Sequence, residues 1–348
     1  MTDMTGLYIH VPFCVRKCPY CDFYSEKFSR ADSEKYAAAV VRNLKRYPVN
    51  FDTVYFGGGT PALISGKISE ILREVEFPEN AEITVECNPD IVNERVLAEL
   101  KNAGVNRLSF GVQSLNESEL AALGRLHGAE SAKKAIILAR ELGFENISAD
   151  LMLGVPQQSV NSLEQTIDEL CALPITHVSA YLLKIEPNTP FGKNPPEIPD
   201  EDEQAELYLA AVERLSERGF RQYEISNFAK IGFESRHNLI YWRAEEYVGI
   251  GPAAHSYYNG KRFAVPRNLA EFFESDVQRE LVTDENPDKY EEKVMLGLRL
   301  REGISLDERL EKRLRLIPRE YFVVENGKVS LTPKGFLVSN VIISTLLG

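Results

Sequence analysis

Three cysteines fall within eight residues, Cys14-Val-Arg-Lys-Cys18-Pro-Tyr-Cys21, and the chain has only two others, Cys87 and Cys171. Three thiolates on one short loop form the donor set of an iron–sulfur cluster. A cubane held by three cysteines leaves one iron without a protein ligand, open to a small molecule. The competing readings are a structural zinc site and unrelated core thiols. Zinc takes four ligands, often as two separated pairs, and there is neither a second Cys-x-x-Cys nor a closely spaced His pair. An odd cysteine count in a chain without a signal-peptide pattern also argues against a disulfide framework.

Other residues invite a chemical reading. The run "FGGGTP" (Phe56–Pro61) has three glycines, which let backbone approach a ligand closely. Glu86 in "TVECNP", Gln113 in "FGVQS" and Asp150 in "SADLMLGVP" are polar groups in or beside apolar runs, and Arg125 stands in "LGRLH". "HNLIYW" joins His237 and Asn238 to Tyr241 and Trp242. "GIGPAA" (Gly249–Ala254) imitates a dinucleotide fingerprint, but Pro252 interrupts it and no strand–helix–strand unit surrounds it. His127, His177 and His255 have no partner spacing, and His10 is read as a group supporting the cysteine loop.

These residues need a scaffold. Six apolar, β-branched or aromatic runs read as strands: Gly6–Val11, Thr53–Gly58, Glu82–Cys87, Arg107–Val112, Ile147–Leu153 and His177–Leu183. Amphipathic runs with Asn, Ser or Gly at their ends fill the gaps as helices. Strand–helix alternation implies a parallel sheet with right-handed crossovers. The prediction is an α/β fold: a partial (β/α)6 TIM-like barrel over 1–230, with a doubly wound open sheet as the alternative. A connecting segment with the His-Asn-x-x-Tyr-Trp pattern follows over 231–285. A small α+β, winged-helix-like unit is expected over 286–348, where "ENGKV" reads as a hairpin turn. In a barrel, site residues sit at the C-terminal ends of the strands, and the cysteine loop follows strand one.

The formal net charge is -12, which disfavours a nucleic-acid partner because phosphate binding needs clustered positive charge. No apolar run reaches the length of a membrane span. The expectation is a cytoplasmic protein without a transmembrane segment, with peripheral membrane contact left open.

The CxxxCxxC spacing, with Tyr20 before its third cysteine, resembles the radical S-adenosylmethionine superfamily. That resemblance implies a [4Fe–4S] cluster on Cys14, Cys18 and Cys21, whose open iron is chelated by the methionyl end of S-adenosylmethionine. One electron then cleaves the sulfonium to a 5′-deoxyadenosyl radical. "LYIHVPFCVRKCPYCDF", "VYFGGGTP", "SFGVQS", "LGRLH" and "DLMLGVP" are similar to the oxygen-independent coproporphyrinogen III oxidase family, across nearly the whole chain. This implies Tyr8, Tyr20, Gly58, Gly59, Thr60 and Glu86 as cofactor-binding residues at the cluster-bound S-adenosylmethionine. It implies Gln113, Arg125 and Asp150 around a second adenosylmethionine pocket.

The chain departs from the oxidases at Phe23, where they carry a further cysteine, and its "HNLIYW" resembles the heme chaperone branch, HemW. That branch implies heme as ligand, with His237, Asn238, Tyr241 and Trp242 as heme-binding residues; heme propionates need positive partners, and Arg236 and Arg243, which flank the motif, are candidates. It also implies acceptor hemoproteins, and an electron donor such as a flavodoxin or ferredoxin. Two readings stand: a heme carrier, or an enzyme decarboxylating coproporphyrinogen's propionates.

Overall fold

The computed structural model describes residues 4–348. Strands β1 (Gly6–Val11), β2 (Thr53–Gly58), β3 (Glu82–Cys87), β4 (Arg107–Gln113), β5 (Asn146–Leu153) and β6 (His177–Leu182) lie side by side in that order, all parallel. Helices connect them, and their caps explain where they begin. Asn93 caps Glu94–Asn102 and Ser159 caps Val160–Cys171, each accepting from the third backbone N–H of its helix. The α/β fold with a mostly parallel central sheet is the one expected from the strand–helix rhythm.

The sheet extends further than six strands. Tyr247–Ile250 pairs parallel with β1, adding a seventh parallel strand from the segment read as a connector. The pseudo-fingerprint "GIGPAA" is the end of this strand and the turn leading into antiparallel His255–Tyr258. Short antiparallel strands continue the sheet at both ends. Beyond residue 286, helices surround a three-stranded antiparallel sheet of Ile304–Ser305, Lys328–Leu331 and Phe322–Glu325. Asn326 and Gly327 both take positive φ between the last two strands, as an Asn-Gly hairpin turn requires. No helix among the described residues is long and apolar enough to cross a membrane.

Side-chain alternation divides the barrel into two environments. Leu7, Ile9, Val54, Phe56, Ile83, Val85, Leu108, Phe110, Ile147 and Ala149 are buried in the apolar core. The alternate positions, among them Tyr55, Glu86, Ser109, Asp150 and Ser179, line a central cavity of about 580 Å³. The interior is therefore polar, while the packing that stabilises the sheet lies outside it.

The helix Arg236–Trp242 closes the floor, at the N-terminal ends of the strands. Glu82, the first residue of β3, accepts from the backbone N–H groups of Arg236 (3.0 Å) and His237 (3.1 Å). A carboxylate at a helix N-terminus is favourable there. Arg107, the first residue of β4, is 2% exposed and its Nε has no hydrogen-bond partner. Burial opposes its charge most strongly, and the combined attraction of its neighbours, Glu82 foremost and then Tyr55, Tyr223 and Asp150, outweighs that. Removing one member of such a pair leaves a buried charge uncompensated. Glu82→Ala should therefore lower stability by about 3–5 kcal/mol. Pairing it with Arg107→Met should recover much of that loss, measured by chemical denaturation; equal losses in the single and double variants would refute the coupling.

Candidate functional site

The cysteine loop leaves the C-terminal end of β1 and is pinched at its base. Phe13–Cys14 pairs parallel with Glu26–Lys27, and the Phe28 N–H donates to the Cys14 carbonyl (3.0 Å). Between these ends the Cys21 N–H closes a turn onto the Cys18 carbonyl (3.1 Å). All three thiols are free and half-buried. Burial pushes the Cys21 thiol up, against a lowering contact from the Phe23 backbone.

The glycine turn after β2 lies directly against this base. The Gly59 N–H donates to the Val11 carbonyl (2.8 Å) and the Thr60 N–H to the Phe13 carbonyl (2.7 Å). A Cβ on Gly59 would stand 2.5 Å from the Phe13 oxygen, so only glycine fits. Gly58 has φ +111, and a side chain there would strike the His10 imidazole. His10 donates from Nε2 to the Tyr24 carbonyl (2.9 Å) and accepts at Nδ1 from the Tyr8 hydroxyl (3.1 Å). Burial lowers it to about 4, so it stays neutral and supports the loop base.

A hydrogen-bond chain crosses the rim. Thr60 Oγ1 donates towards Cys14 Sγ (3.8 Å) and accepts from Asn88 Nδ2 (3.1 Å). Asn88 Oδ1 accepts from Arg125 Nη2 (2.9 Å), which also donates to the Gly111 carbonyl (2.8 Å). Arg125 Nη1 lies 3.4 Å from Cys18 Sγ and 3.5 Å from the Tyr20 hydroxyl. Gln113 follows an irregularity in β4 and takes φ +72, a left-handed backbone that non-glycine residues seldom adopt, and it lines the cavity. Glu86 accepts from the Tyr55 hydroxyl (2.9 Å) and the Gly58 N–H (3.1 Å). Burial and then nearby Asp150 push its carboxyl up to about 7. Asp150 accepts from Ser109 Oγ (3.1 Å), and burial raises it too.

One cavity thus gathers Cys14, Cys18, Cys21, Tyr20, Gly58, Gly59, Thr60, Glu86, Gln113, Arg125 and Asp150. Tyr8 stands beside it, next to Gly57. Asn88, Arg107, Ser109, Ser179 and Tyr181 line it as well and escaped the sequence reading. The Asn-Pro pair that ends β3's run was the only available signal for Asn88. The Pro-rich run Glu186–Asp200 has a role too: the Phe191 N–H donates to the Pro19 carbonyl (3.0 Å) and its ring packs on Tyr20, bracing the cysteine loop.

Among the described residues, no three His, Cys, Asp or Glu side chains close on one point as ligands of a single ion would. Thiolates that bind three different irons stand further apart than the ligands of one ion, so this donor set suits a cluster better than zinc. Cys87 is buried beside Glu86, and Cys171 ends an outer helix.

The His-Asn-x-x-Tyr-Trp residues are not brought to one surface. His237 is 1% exposed, bonded at Nδ1 to Thr53 Oγ1 (2.7 Å) and at Nε2 to the Tyr241 hydroxyl (2.7 Å). Burial, then Arg107, lowers it to about 3. Its ring stacks on Tyr55. Asn238 reaches the cavity, whereas Trp242 lies against Arg299. Arg236 donates to the Asn80 carbonyl and Arg243 pairs with Glu302.

Glu86 has a measurable consequence. A carboxyl whose folded pKa is raised stabilises the fold at low pH, and that contribution is lost as pH rises from the ordinary 4.5 through about 7. Glu86→Gln should therefore flatten the fall in denaturation midpoint between pH 5 and 8 relative to the parent. An unchanged slope would remove Glu86 from the titrating set.

The geometry has counterparts among known proteins. Residues 8–170 match the Radical SAM superfamily. The heme chaperone HemW of Bacillus subtilis (strain 168) is 35% identical over 99% of this chain and 100% of its own length. HemW of Escherichia coli (strain K12) is 40% identical over 72% of this chain and 69% of its own. The mitochondrial radical S-adenosyl methionine domain-containing protein 1 of Mus musculus is 39% identical over 72% and 60%. Among solved structures, coproporphyrinogen III oxidase (HemN) from Escherichia coli shares the fold, with a TM-score of 0.83 over 99% of this chain and 90% of its own at 20% identity. Similarity of this extent to the HemW proteins, on a radical S-adenosylmethionine scaffold, means that the chain belongs to the HemW family of that superfamily.

Proposed function

We propose that this protein is a heme chaperone that carries a [4Fe–4S] cluster on Cys14, Cys18 and Cys21, binds S-adenosylmethionine beside it, and passes heme to acceptor hemoproteins in the cytoplasm. The observation that carries the cofactor part is the shared cavity. The three thiols, the glycine turn and Glu86 face one space at the C-terminal ends of the strands, where barrels build their sites. The heme part is supported by the relatives, whose names describe heme chaperones.

A bound cluster would supply one electron to the sulfonium of adenosylmethionine. The chain's own residues do the rest. Gly59 lets the turn after β2 pack against the base of the cysteine loop, because any side chain there would strike the Phe13 backbone. Glu86, in its charged form, attracts an ammonium group, and Tyr55 and the Gly58 amide hold its carboxylate in place. Arg125 orients Cys18 and Tyr20 and places a positive charge beside the cysteine loop. Gln113 and Asp150 line the same cavity as Arg125, and the oxidase resemblance implies these three for a second adenosylmethionine. Because His237 has both ring nitrogens engaged, heme ligation through it requires the floor helix Arg236–Trp242 to release those bonds. In the closed state His237 seals the floor.

Reconstituted protein should hold about four irons, and replacing Cys14, Cys18 and Cys21 with Ala should abolish the cluster's absorption and EPR signals. Zinc without loadable iron would sink the reading. Gly58→Val should stop adenosylmethionine from perturbing the cluster's reduced EPR spectrum.

Heme titration should give a saturable Soret shift near one equivalent, weakened in His237→Ala/Trp242→Ala, with circular dichroism confirming the fold. Turnover of coproporphyrinogen at a rate comparable to a true oxidase would instead assign the chain to the enzyme branch. Phe23, 67% exposed at the cavity mouth where the oxidases carry their extra cysteine, argues against that outcome.

A further inference from the structure

Arg236 and Arg243, the cations that flank the heme motif in sequence, are both engaged elsewhere, on the Asn80 carbonyl and on Glu302. A different arginine stands beside the motif in space. Arg107 is 2% exposed and lines the cavity together with Asn238, the motif residue that reaches it. Its Nε has no hydrogen-bond partner, and among the described residues none hydrogen-bonds to or ion-pairs with its guanidinium. In register with it on β3, the buried Thr84 Oγ1 also lacks a partner. The acids near Arg107 act on it through space, because their oxygens are bonded to other groups. Glu82 accepts from the Arg236 and His237 N–H groups, and Asp150 accepts from Ser109. A guanidinium carries five donors in a fixed fork, and burying such donors without acceptors is costly. A planar fork open to a polar cavity matches a carboxylate in shape and charge.

We infer that Arg107 is the receptor for a heme propionate, drawing one carboxylate of the ligand into the base of the cavity beside Asn238. This rests on the heme-carrying reading under the proposed function and adds the residue that distinguishes heme from an uncharged macrocycle. Asn238 follows His237 on the floor helix, and the charge of Arg107 reaches the His237 ring. Release of that helix, which ligation through His237 requires, opens the cavity at the end where Arg107 stands. The iron ligand and the carboxylate partner then lie at the same end of the barrel, as a propionate on its short stem demands. A small free carboxylate has the same chemistry as the propionate, so the test separates the two sources.

The experiment titrates reconstituted full-length protein with heme and with heme dimethyl ester, in which both propionates are esterified, and follows the Soret band. The parent should bind heme about tenfold or more tighter than the ester. Arg107→Met should weaken heme alone and bring the two affinities together. Arg107→Lys keeps a positive charge facing Glu82 but loses the fork, so its preference should fall between the two. If Arg107→Met does not fold by circular dichroism, the reduced preference of Arg107→Lys carries the test. Arg236→Gln and Arg243→Gln should keep the parent's preference. Sodium propionate is the free-carboxylate probe, read as a shift of the denaturation midpoint in the parent and in Arg107→Lys.

The inference is overturned if the parent binds heme and the ester alike, if the folded Arg107 variants keep the parent's preference, or if Arg236→Gln or Arg243→Gln removes it. It is overturned equally if sodium propionate stabilises the parent through Arg107 while esterification leaves heme binding unchanged, since the site would then take a free carboxylate. Failure of the underlying reading looks different: neither heme nor its ester would saturate the parent.

Discussion

The guanidinium of Arg125 holds the candidate site together. Its two terminal nitrogens reach Cys18 and Tyr20 on the cysteine loop, Asn88 after β3 and the Gly111 carbonyl in β4. Through Asn88 and Thr60 the same chain reaches Cys14. Loops from four strand ends are thereby fixed to one cation. Loop backbones seldom hold a constellation this well on their own, and a planar fork with fixed donor directions is suited to the task. The close contact of Gly59 with the Phe13 carbonyl supplies the remaining constraint, because it sets the separation of the first two strand-end loops.

The polar interior is compatible with a stable fold because the apolar faces of the strands are packed outward against helices. What remains inside has to be neutralised or bonded. The floor does this in two similar ways. Thr53 and Tyr241 hold the two ring nitrogens of His237, and Ser148 and Tyr223 hold those of His177. Burial keeps both rings neutral, with Arg107 adding to the effect. Arg107 is then the floor's buried cation, answered by Glu82 below and Asp150 above. A charged, unpaired group in this position would be costly, so the histidines serve the floor best as hydrogen-bonding packing groups. The His-Asn-x-x-Tyr-Trp helix is therefore as much a structural closure as a binding motif.

Much of this was legible from residue spacing. The three cysteines, the triple glycine and the six crossover strands all have strong local signals, because loop ligands and tight turns are encoded by neighbours in sequence. Glu86, Gln113 and Asp150 were legible once the strand ends were placed. Other features were not. Tyr247–Ile250 is a four-residue strand inside a run that imitates a nucleotide motif, and nothing local distinguishes the two. Arg107 and Ser109 sit in an apolar run that gives no hint of which face turns inward. Asn88 has a role only because Thr60 and Arg125, 28 residues before it and 37 after, arrive on either side of it.

By itself the sequence determined the donor chemistry, the glycine turn and the alternation of strands with helices, since each depends on residue type and short-range periodicity. The tertiary structure decided which side chains share a space. It placed Arg125 against Cys18, set Phe191 behind Tyr20, and raised Glu86 by surrounding it with protein and Asp150. It also turned His237 inward, although its pattern suggested a ligand facing a porphyrin. The physical reason is that burial and electrostatic environment are properties of the packed assembly. Residues far apart in the chain create them together, and no stretch of sequence carries them alone.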